Sequence, residues 1–282
     1  MTAEAIFERE RPRLVRIARR MLGTLDEAED VVQTAWLRFA SADLAALDRP
    51  EAWLTRTVSR LAIDTMRSAR VRREVYVGQW LPEPVIEDEY EGEDRLTTAL
   101  LLALERLSPL ERAAFLLHDV FSVSFDEVAR ALDRDEAACR QLAARARRHV
   151  AAERTRFVVP PEQGRALIEA FLEASRSGDV AGMSAMLAED ARLMADGGGI
   201  RQAALDPILG RDDIARFFAG YAKKGEFAMP EIVRFALIDG LPGVVTREAD
   251  GLLQTTSLQI GPDGIEAVYI VRNPEKLRSV GG

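Results

Sequence analysis

The sequence predicts a multidomain protein: two all-α units in the first half, then an α+β unit with a curved antiparallel sheet. Three observations carry this. Apolar residues recur at helical spacing up to about residue 157; a Gly-, Pro- and acid-rich stretch over residues 75–95 interrupts them; and beyond Pro160 and Pro161 short alternating β-branched runs appear, separated by Asp-Gly and Gly-Pro turn signals. A length of 282 residues suits about two domains of roughly 100–200 residues. With 48% hydrophobic and 30% charged residues, the chain has the composition of a globular protein with a real core.

The first unit, residues 1–74, carries Leu14, Ile17, Ala18, Met21 and Leu22 on one stripe and Val31, Val32, Ala35, Trp36 and Phe39 on another. Thr24 and Glu27 have capping-box spacing and start a second helix, and Pro50 opens a third. Residues 75–95 read as a linker: Gly78, Pro82 and Pro84 break the pattern, and Glu87, Asp88, Glu89, Glu91, Glu93 and Asp94 cannot hold a core. The piece from Tyr76 through Trp80 to Pro84 is too apolar for a tether and is expected to pack on something. Over residues 96–157 helices resume, with capping boxes at Ser108/Glu111, where Pro109 takes the first helical position, and at Ser124/Glu127. In residues 160–282 amphipathic helices are expected at 162–176 and 212–221, and strands at 232–238, 243–248, 252–260 and 265–271.

Residues 125–150 have the form of a helix-turn-helix. Phe125, Val128, Ala129 and Leu132 face inward on the first helix, Asp133, Arg134 and Asp135 make the turn, and Ala138, Leu142 and Ala146 form the inward stripe of the second. Glu136, Arg140, Gln141, Ala144, Arg145, Arg147 and Arg148 then face outward. A helix presenting Arg and Gln suits a major groove, where Arg pairs with guanine and Gln with adenine, while its basic end holds phosphates.

The net charge of −8 is unfavourable for a nucleic-acid binder, but its distribution is uneven. From Arg56 to Arg73 six Arg oppose Asp64 alone, a local +5; from Arg140 to Arg156 six Arg oppose Glu153, again +5. Two basic patches therefore sit in an acidic chain. The single Cys139 excludes an internal disulfide and a cysteine-rich zinc site, and with two scattered histidines no metal site is expected. No Walker spacing supports a nucleotide loop, so no cofactor is expected. Without a signal-peptide core or a membrane-length apolar run, a cytoplasmic location is expected.

Three segments in order resemble the extracytoplasmic-function (ECF) subfamily of sigma-70 family sigma factors. They are Asp26 to Arg38, Pro50 to Arg67 and Leu107 to Phe115. The resemblance implies that residues 1–74 form sigma region 2 and that residues 96–157 form sigma region 4. It further implies binding to the RNA polymerase core, at the β′ clamp helices and β flap, through Asp26, Glu29, Asp30, Val31, Gln33 and Trp36. Reading of promoter −10 DNA would fall to Trp53, Arg56, Arg60, Arg67, Arg70 and Arg73, and of the −35 element to Glu136, Arg140, Gln141, Arg145, Arg147 and Arg148. Many relatives have Asn where this chain has Arg60, and Gly where it has Asp133.

The second half resembles SnoaL-like domains, small α+β cones, and a sigma-factor subgroup carries one fused. Its linker motif resembles Tyr76, Trp80 and Pro82; its glycine motif resembles Asp196, Gly197, Gly198 and Gly199; and its late motif resembles Asn273, Pro274 and Lys276. Relatives often follow the glycines with Lys, where this chain has Ile200 and Arg201. The resemblance implies a non-enzymatic domain that regulates the sigma factor in cis in place of a separate anti-sigma factor, in a chain that is monomeric when free. The linker aromatics are expected to dock near the glycine loop, and the cone offers room for a small-molecule effector. Two rival readings are a ligand-responsive helix-turn-helix regulator and a SnoaL-like isomerase or cyclase; for the latter Asp190, Asp196 and Asp206 are the candidate bases, with no His beside them.

Overall fold

The structure, a computed structural model, describes residues 2–73, 76–87, 97–151, 159–223 and 230–280, without the side chains of 69–73 and 87. It divides into two compact units. The first comprises Met1–Val75 and Leu100–Arg154, and the second Tyr76–Ala99 and Thr155–Gly282. Among the described residues no helix is long and apolar enough to cross a membrane.

Among its described residues the first unit is all helical: α1 (Ala3–Leu22), α2 (Leu25–Ala40), α3 (Pro50–Arg73), α4 (Thr98–Glu105, whose first residues belong to the second unit), α5 (Pro109–Phe115), α6 (Phe125–Leu132) and α7 (Glu136–Val150). Leu14, Ile17, Met21, Leu22, Phe39, Leu54 and Val58 fill the core of α1–α3, as the helical periodicity predicts. Gly23, at φ 89°, ends α1 in the left-handed conformation that glycine adopts without strain. The capping box at Ser108 forms in full, whereas Thr24 donates its hydroxyl to Glu27 (3.0 Å) and makes no side-chain cap. Ser124 caps α6, but Glu127 turns instead to Arg49 (2.6 Å). A π-helical turn, Leu116–Val120, follows α5 and puts His118 on the Phe125 ring.

Two cations on helix ends tie this unit together. Arg112, 4% exposed, donates to the carbonyl of Arg20 at the end of α1 (3.2 Å) and pairs with Glu105 (2.5 Å). Arg60 on α3 donates to the carbonyls of Ala131 (3.1 Å) and Arg130 (3.2 Å) at the end of α6. Guanidinium groups there satisfy orphan carbonyls and meet the negative end of the helix dipole.

Among its described residues the second unit contains α8 (Pro161–Ser177), α9 (Val180–Met186), α10 (Arg211–Lys223) and seven strands: β1 (Ile86–Glu87), β2 (Leu187–Asp196), β3 (Ile208–Leu209), β4 (Glu231–Ile238), β5 (Leu241–Arg247), β6 (Leu253–Gly261) and β7 (Gly264–Val271). They form one sheet in the order β1-β4-β5-β6-β7-β2-β3. The expected antiparallel sheet is in fact mixed, because β2 pairs with β7 in parallel. Reading strands only from residue 232 onward leaves out β2, and β2 supplies the parallel pair. Asp239 and Gly240, at φ 49° and 67°, make the tight β4–β5 hairpin that an Asp-Gly pair favours. The helices pack Ile168, Phe171, Leu172, Ile214 and Phe218 against Leu193, Val244, Leu258 and Val268 of the sheet.

The turn of the helix-turn-helix is a local test of backbone chemistry. Asp133 ends α6 at φ 56°, ψ 52°, a left-handed conformation that costs a β-branched residue roughly 1–2 kcal/mol more than glycine. Asp133→Val is therefore expected to lower unfolding stability by ~1–2 kcal/mol in urea titrations, and Asp133→Gly to leave it within about 0.5 kcal/mol.

Candidate linker clasp and nucleic-acid interface

In the second unit the linker is part of the fold. Leu81 is fully buried, Pro82, Glu83 and Pro84 are buried, and the chain then adds β1 antiparallel to the edge of β4, covering backbone groups an open edge would expose. The Asp239 backbone N–H donates to the carbonyl of Val85 (2.9 Å), and the Asp239 carboxylate accepts from the Val85 N–H and the Thr98 hydroxyl (both 3.4 Å). Ser279 donates to Glu83 (2.8 Å) and Gln79 Nε2 to the carbonyl of Ala204 (2.9 Å). The acidic residues Asp88, Glu89, Glu91, Glu93 and Asp94 lie outside the described residues, as does the side chain of Glu87.

The three motifs meet at Asp196, which is fully buried at the end of β2. One carboxylate oxygen accepts from the Tyr76 hydroxyl (2.6 Å) and the Gly198 N–H (2.9 Å); the other accepts from Lys276 Nζ (2.6 Å) and the Leu81 N–H (2.9 Å). Lys276, 6% exposed, also donates to the carbonyl of Leu81 (2.5 Å), and its ammonium lies 4.4 Å from the Trp80 ring centroid and 4.9 Å from that of Tyr76. Asn273 donates to the Tyr76 hydroxyl (2.9 Å) and accepts from the Glu275 N–H (3.0 Å), so that Pro274 starts the final 3₁₀ segment, Pro274–Val280. Burial first, then the Asp196 carboxylate, pushes the Tyr76 phenol well above its ordinary pKa, so it remains a donor.

The glycines are explained by close approach. A Cβ on Gly197 would fall 2.0 Å from the carbonyl of Arg201, and one on Gly198 2.4 Å from the Asn273 side chain; Gly198 and Gly199 also have φ of 65° and 71°. The cation after the glycines takes another place: Arg201 donates to the carbonyl of Leu253 (3.0 Å) and pairs with Asp250 (2.7 Å). Of the candidate bases, Asp190 and Asp206 are exposed and Asp196 is consumed in the clasp.

In the first unit, Asp26, Glu29, Asp30 and Gln33 are exposed on α2. Val31 is buried and Trp36 packs on Phe7 with centroids 4.8 Å apart, so both hold α2 in place. The residue missed on that face is Leu37, 64% exposed one turn beyond Gln33; a lone Leu in a helical pattern carries no sign of being outside. On α3, Trp53 is half-buried against Phe39 (5.6 Å), Arg56 lines a crevice with Arg13 and Arg49, Arg67 pairs with Asp64 (3.1 Å), and Arg60 caps α6. The side chains of Arg70 and Arg73 lie outside the described residues.

On α7 the inward stripe is Cys139, Ala143, Ala146 and Val150. Ala138 and Leu142, expected there, are only half-buried; Asp135 caps the helix (2.7 Å to the Ala138 N–H), and the phase it sets turns the buried line by one residue. Arg140, Gln141, Ala144, Arg145 and Arg148 are exposed, and Arg140 pairs with the half-buried Glu136. Arg147 departs from this face, because it holds Asp119 (2.7 Å), which raises its pKa.

Asp196 and Lys276 form a buried pair, and removing one partner of such a pair costs about 3–5 kcal/mol. Asp196→Asn and Lys276→Met are each expected to destabilise the second unit by ~3–5 kcal/mol in chemical denaturation. The double variant is expected to cost clearly less than the sum, and a strictly additive result would contradict the pairing.

The chain as a whole is similar to known proteins. The Sigma-70 region 2 family matches residues 6–72, and the Sigma-70, region 4 family matches residues 97–150. The chain is 36% identical to the ECF RNA polymerase sigma factor SigJ of Mycobacterium tuberculosis, over 96% of this chain and 91% of that protein. It is also 36% identical to the probable ECF RNA polymerase sigma factor SigI of the same species, over 62% of this chain and 63% of that protein. The crystal structure of SigJ superposes with a TM-score of 0.76 at 33% identity, covering 97% of each chain. A clasped linker, a helix-turn-helix with an arginine face and these matches along nearly the whole length lead to one conclusion: the chain belongs to the ECF RNA polymerase sigma factors.

Proposed function

We propose that this sigma factor docks on RNA polymerase core through the exposed face of α2, directs it to promoters through α3 and α7, and is regulated in cis by its C-terminal cone. The observation that carries the promoter-reading part is the exposed α7 face of Arg140, Gln141, Arg145 and Arg148 beyond a capped turn. Its spacing suits base edges at the N-terminal end and phosphates at the C-terminal end. On α2, Asp26, Glu29, Asp30, Gln33 and Leu37 follow one another along one exposed face, acidic toward the helix start and apolar at Leu37, which suits a partner surface with a basic and an apolar part.

Two arrangements support regulation. Arg60 commits Nε and Nη2 to the carbonyls that end α6, so turning those donors to a DNA phosphate would release this cap between α3 and α6. The clasp holds the linker segment through three hydrogen bonds to Asp196 and Lys276, which are themselves bonded to each other. The cone's cavity is lined, among the described residues, by no carboxylate and no His, which favours a regulatory over an acid–base catalytic role.

Run-off transcription with purified core and a promoter library tests this. Promoter-specific transcripts are expected from the full chain. The variant Arg140→Ala/Arg145→Ala/Arg148→Ala is expected to lose at least tenfold in transcript yield while still binding core, and Lys276→Met to alter yield without altering the −35 preference. Transcripts unaffected by the triple variant would contradict the assignment of α7, and unchanged yield in Lys276→Met would contradict control through the clasp.

A further inference from the structure

The cone holds a small cavity that the clasp does not use. Its inner wall is apolar, with Phe171, Leu193, Phe217 and Ile270, and the space open to water in it measures about 40 Å³. At roughly 10–15 Å³ of such volume per water, this is room for about three waters, or for an organic molecule of two or three carbons. Arg272 stands in its lining beside Gln254.

The charges around the cavity do not balance. Arg176 holds Glu248 in a fork (3.1 and 3.3 Å), and Arg201 holds Asp250 (2.7 Å). Arg272 donates Nη1 to the carbonyl of Gln202 (2.5 Å), while its Nε is buried and has no partner among the described residues. Three guanidiniums thus face two carboxylates. Burial first, and then the charge of Arg201, lower the pKa of Arg272, as expected for a cation short of a counter-anion. Buried polar groups are normally satisfied, so an orphaned N–H on a cation marks a place for an acceptor.

The same residues touch the linker. The backbone N–H groups of Arg272 and Asn273 both donate to the carbonyl of Asp196 (2.7 and 3.0 Å), so the cavity's cation sits on the strand end that carries the clasp. Residues 202–204 line the cavity, and the carbonyl of Ala204 accepts from Gln79 of the linker. Gln79 Oε1 is itself buried without a partner among the described residues.

We propose that the cone cavity binds a small monocarboxylate, its carboxylate on Arg272 and its carbons against Phe217 and Ile270, and that residues 202–204 pass occupancy to Gln79 of the linker. One negative charge balances the surplus, a planar carboxylate matches the guanidinium edge and its carbons the apolar wall, whereas a phosphate dianion exceeds the charge and offers that wall no apolar part. The coupling part rests on the regulatory reading above; the binding part stands without it.

The test uses the full chain, titrated calorimetrically with acetate and propionate, with the neutral amides acetamide and propionamide, and with chloride at matched ionic strength. Saturable binding of a carboxylate is expected, with no saturation by amide or chloride. Affinity should fall at least tenfold in Arg272→Gln, and Arg272→Lys, which keeps the charge, should recover part of it. Equal binding of the amides, or undiminished binding by a folded Arg272→Gln, overturns the site. Amide exchange at Gln79 and Leu81 is expected to change on adding propionate, and binding without such a change overturns the coupling. No carboxylate binding by a chain that still transcribes overturns this inference alone and leaves the sigma-factor reading intact.

Discussion

A carboxylate taken fully out of water must be met by donors on every side, and Asp196 imposes that condition on the whole second unit. An uncompensated buried charge costs several kcal/mol, more than a domain can spare from a net stability of about 5–15 kcal/mol. Its donors come from three places far apart in the chain: the linker (Tyr76 and Leu81), the glycine loop (Gly198) and the C-terminal turn (Lys276). Satisfying Asp196 therefore brings the linker onto the sheet, and β1 and the buried Leu81–Pro84 stretch follow from that. The glycines make this approach possible, because side chains at Gly197 and Gly198 would occupy the space of Arg201 and Asn273.

The helical unit uses a related device with the opposite charge. Arg112 on the end of α1 and Arg60 on the end of α6 join elements of the two sigma regions through helix carbonyls that would otherwise be unpaired. Arg112 is buried and structural. Arg60 is exposed and its bonds are to backbone alone, apart from the distant Asp133 (3.8 Å), so it is the weaker of the two. A cap that is exposed, on the helix proposed above to read promoter DNA, is suited to being exchanged for phosphate.

Local chemistry was legible in the sequence wherever it was periodic or capped. The helices of both sigma regions, α8, α10 and β4 to β7 follow from apolar spacing and turn residues, and the Ser108 box and the Asp239-Gly240 hairpin follow from residue type. β1, β2 and β3 were not legible. Two of them are only two residues long, and β2 owes its place to parallel pairing with β7, whose partner lies some 75 residues away. Phase errors of one residue, as on α7, are beyond what spacing alone resolves when Ala stands on both faces. The motifs pointed to Tyr76, Asp196, Asn273 and Lys276 as a group, but not to how they bond. That Lys276 rather than Arg201 pairs with Asp196 depends on where the two chain segments end up in space.

In the free chain the linker is held by the clasp and is not a tether. Amide hydrogen exchange over residues 79–85 of the free full-length protein tests it most directly. Slow exchange is expected at Leu81, whose N–H is bound to Asp196, with protection lost in Lys276→Met. Exchange at Leu81 as fast as in an unstructured peptide would contradict it.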